Sequence, residues 1–198
     1  MNPKHDSSCR PDDALLSEFG SLWAEVDALW ERHQEAPAFH GYVSADFQAV
    51  YESLAQLQGR VLTVLEWGSG LGVMTIMASR MGFEAYGIEA EASLVEFSEH
   101  LALDYGPKAK FAQGSFIPDQ FQWNPADGDN VIRTLVDAAS AYNGLKMEIR
   151  DFDLVYSYPW PNERILYHQI LREFARPDAF FLCFDARAGV ELVQIQDL

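Results

Sequence analysis

The stretch Val61-Leu62-Thr63-Val64-Leu65-Glu66-Trp67-Gly68-Ser69-Gly70-Leu71-Gly72 constrains this chain more than any other. An apolar, β-branched run enters an acid, and a glycine-rich turn follows. Behind the turn, residues 73–81 read as a buried helix. Strand, tight glycine turn and helix in that order open a nucleotide-binding α/β sheet. Glycine lacks Cβ, so such a turn admits positive φ and close approach of a ligand to the backbone. The spacing separates ligand classes. A dinucleotide fingerprint, G-x-G-x-x-G, requires glycine at position 73, and Val73 stands there, which disfavours an NAD-dependent oxidoreductase.

The spacing present is E-x-G-x-G-x-G, formed by Glu66, Gly68, Gly70 and Gly72. It resembles motif I of the class I S-adenosylmethionine (SAM)-dependent methyltransferases. The resemblance implies a Rossmann-like, doubly wound, mostly parallel sheet with SAM as cofactor, bordered by Glu66, Trp67, Gly68, Ser69, Gly70 and Gly72. SAM has no pyrophosphate, so the turn need not be an anion cradle. Residues 83–89 read as the second strand. Glu89 closes it about 20 residues after the turn, where an acid binds ribose hydroxyls. Gly87-Ile88-Glu89-Ala90 reproduces the strand-acid pattern of the family, and the resemblance implies a carboxylate spanning both hydroxyls, with Ala90 beside it. The competing reading is a solvated strand-end acid like its neighbours Glu84 and Glu91.

Upstream, residues 1–11 read as a disordered polar tail. Asp12 or Asp13 can cap a helix running to about Gln34, with Leu15, Phe19, Leu22, Trp23, Val26, Leu29 and Trp30 on one stripe. That stripe covers its own domain or forms a dimer interface. Ser44 can cap a second helix bearing Phe47, Val50, Tyr51, Leu54 and Leu57, ended by Gly59. Small methyltransferases often fold such a segment over the cofactor. The resemblance extends SAM binding to Tyr42 and Ser44, against the alternative that both are ordinary helix-entry residues. The expected organisation is one domain over 12–198, with a helical cap over 12–58 and an α/β core over 59–198.

Downstream, a helix from about Ala92 to Leu103 breaks at Gly106-Pro107, and residues 110–113 form a short third strand. The family usually places an acid or amide after it for the adenine amine. Here Ser115 and Phe116 stand at the matching positions, and the acid is missing. Residues 117–150 read as loop followed by a helix over Val131, Leu135, Val136, Ala138 and Ala139, ending near Asn143-Gly144. A connection this long is often a substrate lid. Residues 153–156 form a buried fourth strand. Its C-terminal end carries Ser157-Tyr158-Pro159-Trp160, which resembles in part the motif IV of methyltransferases acting on planar nitrogens. Ser157, Tyr158 and Trp160 are therefore the catalytic candidates, against a rigid Pro-Trp-Pro turn that only shapes the site. A helix begins at Asn162 or Glu163, a fifth strand spans 179–184, and at most one strand follows. The C-terminal edge of the sheet is expected to be shortened.

The formal net charge is −16, from 14 Lys and Arg against 30 Asp and Glu. This argues against a nucleic-acid partner, which would need a basic face. A small molecule or a protein fits better as substrate. Cys9 and Cys183 suggest neither a disulfide nor a metal site, and free thiols fit a reducing cytoplasm. No apolar run reaches membrane-spanning length. The sequence thus points to a cytoplasmic SAM-dependent methyltransferase, with a non-catalytic SAM-binding protein as the alternative; oligomeric state is not legible.

Overall fold

The computed structural model describes residues 13–123, 134, 138–160, 162–185 and 187–198. The expected tail, the cap candidate Asp12 and most of the helix expected on 131–139 lie outside the described residues. Strands β1 Thr63–Trp67, β2 Glu84–Glu89, β3 Lys110–Gln113, β4 Leu154–Ser157, β5 Phe180–Asp185 and β6 Gly189–Gln194 form one sheet. Their order is β3-β2-β1-β4-β5-β6. Every pair is parallel except β5 with β6. In β1, Leu65 lies opposite Tyr86 on one side and Val155 on the other. Such central strands are apolar because both faces are covered.

Alternation along the strands feeds two cores. Val64, Ala85, Leu154, Tyr156 and Leu182 face helices α1 Asp13–His33, α2 Phe47–Leu57, α3 Val73–Arg80 and α4 Ala92–Tyr105. Leu65, Trp67, Ile88, Val155 and Phe181 face α5 Tyr142–Leu145 and α6 Arg164–Phe174. In α1, Phe19, Leu22, Val26 and Leu29 are buried, and Arg80 in α3 clamps Glu18 through two bonds of 2.7 and 2.9 Å. The stripe thus covers its own fold, and Trp30 remains at its exposed margin.

Two expectations change. Ser44 does not cap α2; the Asp46 carboxylate does, accepting from the Ala49 N–H at 3.0 Å. Asp46 stands directly before the first turn, where its side chain reaches an orphan N–H; Ser44 lies two residues further out. And α5 occupies the place expected to end a helix. Among the described residues, β6 is the last strand of the sheet and runs antiparallel to β5. Among the described residues no helix is long and apolar enough to cross a membrane.

Candidate functional site

Strand order reverses between β1 and β4, and ligands of open α/β sheets bind beyond the strand ends at that point. A cavity of about 1100 Å³ lies there. A second one, about 450 Å³, lies near the start of β3, lined by Lys110 and Tyr86, away from these strand ends.

One half of the large cavity comes from β1, β2 and β3. The turn after β1 is held by the Ser69 N–H on Ile88 O at 2.9 Å and the Gly72 N–H on Ser69 O at 2.7 Å. Gly68, Gly70 and Gly72 all have positive φ, near 68°, 53° and 72°. Their roles diverge. A Cβ on Gly68 would meet nothing within 4 Å, so this residue opens onto the cavity. A Cβ on Gly70 would lie 2.9 Å from the Tyr42 ring. A Cβ on Gly72 would lie 2.6 Å from the Phe111 ring and 2.7 Å from Ser98 Cβ. Gly72 therefore serves helix–sheet packing, and the residues lining the cavity at the turn are Gly68, Ser69 and Gly70.

Glu89 faces the cavity from the end of β2. Its Oε2 accepts from the Gly70 N–H at 2.8 Å, and its Oε1 from Ala90 and Glu91 at 2.7 and 3.0 Å. A carboxylate has about four acceptor positions, so roughly one is left for a ligand. Glu89 is thus the clasp of the turn, with room for one further donor rather than two. Glu66 is buried under the turn and accepts from the Thr75 hydroxyl and N–H at 2.6 and 3.0 Å. Burial pushes its carboxyl up to about 8; the bonds from Thr75 oppose the shift and the Glu89 charge adds to it. Among the described residues, the buried Ser69 hydroxyl in the turn has no hydrogen-bond partner.

Tyr42 reaches this half from the segment between α1 and α2 and lays its ring on Gly70. Burial pushes its phenol up to about 12, against the lowering bond with Ser44. The Ser44 hydroxyl donates to that phenol at 3.4 Å, and Ser44 is not among the described residues that line the cavity. Ser115 and Phe116 border the cavity after β3. Phe116 is already stacked on Trp67, with centroids 4.7 Å apart and planes 11° apart, and the Trp67 indole turns into the core, donating to the Tyr142 hydroxyl at 2.8 Å.

The other half comes from β4, α6 and β5. Tyr158 and Trp160 line it; Tyr158 meets Phe184 edge-on at 4.8 Å, and Trp160 lies against Gly41 of the segment that carries Tyr42. Ser157 does not line the cavity. It is buried, with its hydroxyl donating to Trp67 O at 3.3 Å. Alternation places Tyr156 on the cavity side and Ser157 on the opposite one. From the expected lid, Thr134 lines the cavity, and its hydroxyl donates to Glu163 at 2.6 Å. Sequence reasoning missed Cys183, Asp185, Arg164 and Arg187, which also line it. Asp185 ends β5 as Glu89 ends β2, and that strand-end rule could have found it. Burial pushes the Cys183 thiol up to about 11, so it is a neutral wall rather than a nucleophile.

No protein-family model matches the sequence. No curated protein matches it either. Solved structures match it in shape. An RNA methyltransferase from Salinibacter ruber, crystallised with S-adenosyl-L-homocysteine, is similar with a TM-score of 0.53 and 17% identity, over 78% of this chain and 94% of that one. A candidate caffeoyl-CoA O-methyltransferase from Staphylococcus aureus is similar with a TM-score of 0.51 and 9% identity, over 82% of this chain and 72% of that one. The fold is that of the class I SAM-dependent methyltransferases.

Proposed function

We propose that the protein is a SAM-dependent methyltransferase. One observation carries this reading: the glycine turn at the switch point opens onto a cavity half that bears the carboxylates of Glu89 and Glu91 and, among the described residues, no Lys or Arg. The donor set fits SAM, which is cationic at its sulfonium and ammonium groups. It does not fit a dinucleotide, whose pyrophosphate needs donors and positive potential at the turn. The orphaned Ser69 hydroxyl also fits a polar ligand at the turn, since buried polar groups are normally paired.

In this reading Gly68, Ser69 and Gly70 border the cofactor, Glu89 and Ala90 receive the ribose, and Ser115 and Phe116 border the adenine. Tyr42 closes the turn from above. When bound, SAM would supply a sulfonium-activated methyl that passes to a substrate nucleophile as the C–S bond breaks, the sulfur keeping the bonding pair. The chain's part is orientation and exclusion of water. Tyr158 and Trp160 present an aromatic wall to the acceptor. Tyr42, Tyr156 and Tyr167 are held well above their ordinary pKa by burial, so near neutrality they are donors and not bases. Isothermal titration with S-adenosylhomocysteine and with NAD tests the assignment. Binding of the former alone is expected; binding of NAD alone would overturn it. Transfer of labelled methyl from SAM into a cell extract then separates an enzyme from a cofactor-binding protein.

A further inference from the structure

The cavity is larger than the roughly 300–1000 Å³ that one small ligand takes. If the β1–β3 half holds the cofactor, the β4–β5 half is the place of the acceptor. Its chemistry differs from that of the cofactor half. The chain has more than two acids for each Lys or Arg, yet both cations lining the cavity, Arg164 and Arg187, stand here. Three acids stand on the cofactor half and one, Asp185, on this half.

The pairing of these groups singles out one side chain. Arg164, on the first turn of α6, is bonded to Glu191 of β6, and its Nε donates to His168 at 3.3 Å. Asp185 is turned inward on its own backbone and accepts from the Arg187 and Ala188 N–H groups at 2.7 and 2.9 Å. The Arg187 guanidinium forms no ion pair with any described residue, and it lies exposed at the cavity margin. Tyr158 and Trp160, lining the same cavity, offer half-buried aromatic surface.

We infer that the methyl acceptor is a small planar molecule bearing an anionic group, a carboxylate or a phosphate, which Arg187 receives while the ring lies against Tyr158 and Trp160. The inference rests on the methyltransferase reading of the same cavity. A planar guanidinium matches either anion through two parallel N–H bonds, whereas an ammonium offers only a point charge. Arg164, already committed to Glu191, supports the positive potential without being the main contact. The acidic remainder of the surface repels polyanions, so a small anion reaches Arg187 and a nucleic acid does not.

The test is isothermal titration of the protein saturated with S-adenosylhomocysteine, using benzoate, phenyl phosphate, benzamide and benzylamine as probes. One of the two anions is expected to bind about tenfold or more tighter than the neutral and cationic probes, as charge-assisted bonds require. Which anion leads distinguishes carboxylate from phosphate. Arg187→Gln should erase that preference, and Arg187→Lys should retain part of it. Both should leave S-adenosylhomocysteine affinity within about twofold, which shows that the variants are folded and the cofactor half intact. Equal binding of all four probes, or an anion preference that survives Arg187→Gln, overturns the inference while the methyltransferase reading stands. Failure of S-adenosylhomocysteine to bind the wild-type protein sinks that reading and the acceptor assignment with it.

Discussion

The two halves of the cavity are made from the same material, the C-terminal ends of parallel strands, and differ in how their side chains are satisfied. On the cofactor half, Glu89 spends three acceptor positions on the Gly70, Ala90 and Glu91 N–H groups, and Glu66 is held by Thr75. The acids there are part of the scaffold before any ligand arrives, which is preorganisation. On the acceptor half the charged groups sit on separate elements, α6 and the turn after β5, and the Arg187 guanidinium forms no ion pair with any described residue. A cofactor is the same in every relative and rewards a fixed cradle. An acceptor is particular to each enzyme and is read by side chains that vary without disturbing the sheet.

The sharpest break of this comparison is Gly70→Val. The new side chain would displace the Tyr42 ring and strain a backbone at φ of about 53°. SAM affinity should fall about 100-fold or more, ~2.8 kcal/mol, while circular dichroism shows the fold retained. Normal affinity in the folded variant would remove the turn from the cofactor site.

Next comes pH. The folded-state value of Glu66, about 8, lies above its ordinary 4.5. The native carboxyl therefore keeps a proton that the unfolded chain has released. Its contribution to stability is fully present below pH 4.5, falls as pH rises, and is gone above about pH 8. Glu66→Gln keeps an acceptor oxygen for Thr75 and has no charge to bury. It should melt within about 2 °C of wild type at pH 4.5 and several degrees higher at pH 9, at about 2–4 °C per kcal/mol for a chain of this size. Parallel melting curves across that window would show that the Glu66 charge is solvated.

The same contrast explains what could be read from the sequence. The cofactor half is written in consecutive residues: a strand, a glycine turn, a helix and an acid at a fixed remove. Backbone conformation drives that pattern, and backbone conformation is local. At Gly72 the local need for positive φ is joined by one the spacing does not announce, since a Cβ there would meet Phe111 and Ser98, far along the chain. The acceptor half has no such script. Ser157 was taken as facing the ligand, but strand alternation turns it under Trp67 and presents Tyr156 instead. Arg187, Arg164 and Thr134 meet only through the tertiary fold, and no spacing announces them.

A smaller effect is expected at Glu89. With one acceptor position left for a ribose hydroxyl, Glu89→Ala removes one charge-assisted bond and the clasp on Gly70. SAM should weaken about tenfold, ~1.4 kcal/mol, by titration. Glu84→Ala and Glu91→Ala should change little. Loss at either of those and not at Glu89 would shift the ribose contact off the end of β2.

Trp160→Ala gives the smallest effect on the cofactor and the finest test of whether the halves act separately. The indole lines the acceptor half and rests on Gly41, 3.5 Å from where a Cβ there would lie. It is half-buried, so truncation should cost on the order of 1 kcal/mol and lower Tm by about 2–4 °C, less than at a packed core aromatic. SAM affinity should stay within about twofold, and methyl transfer to an acceptor found by the labelled-extract assay should fall. Gly41 belongs to the same segment as Tyr42, which covers Gly70, so a route for coupling exists between the halves. A tenfold loss of SAM affinity in Trp160→Ala would mean that the indole holds Tyr42 over the turn, and the two halves would then be one cooperative cover. A variant that melts early, binds SAM normally and transfers normally would leave Trp160 as a shape-setting residue of the turn after β4.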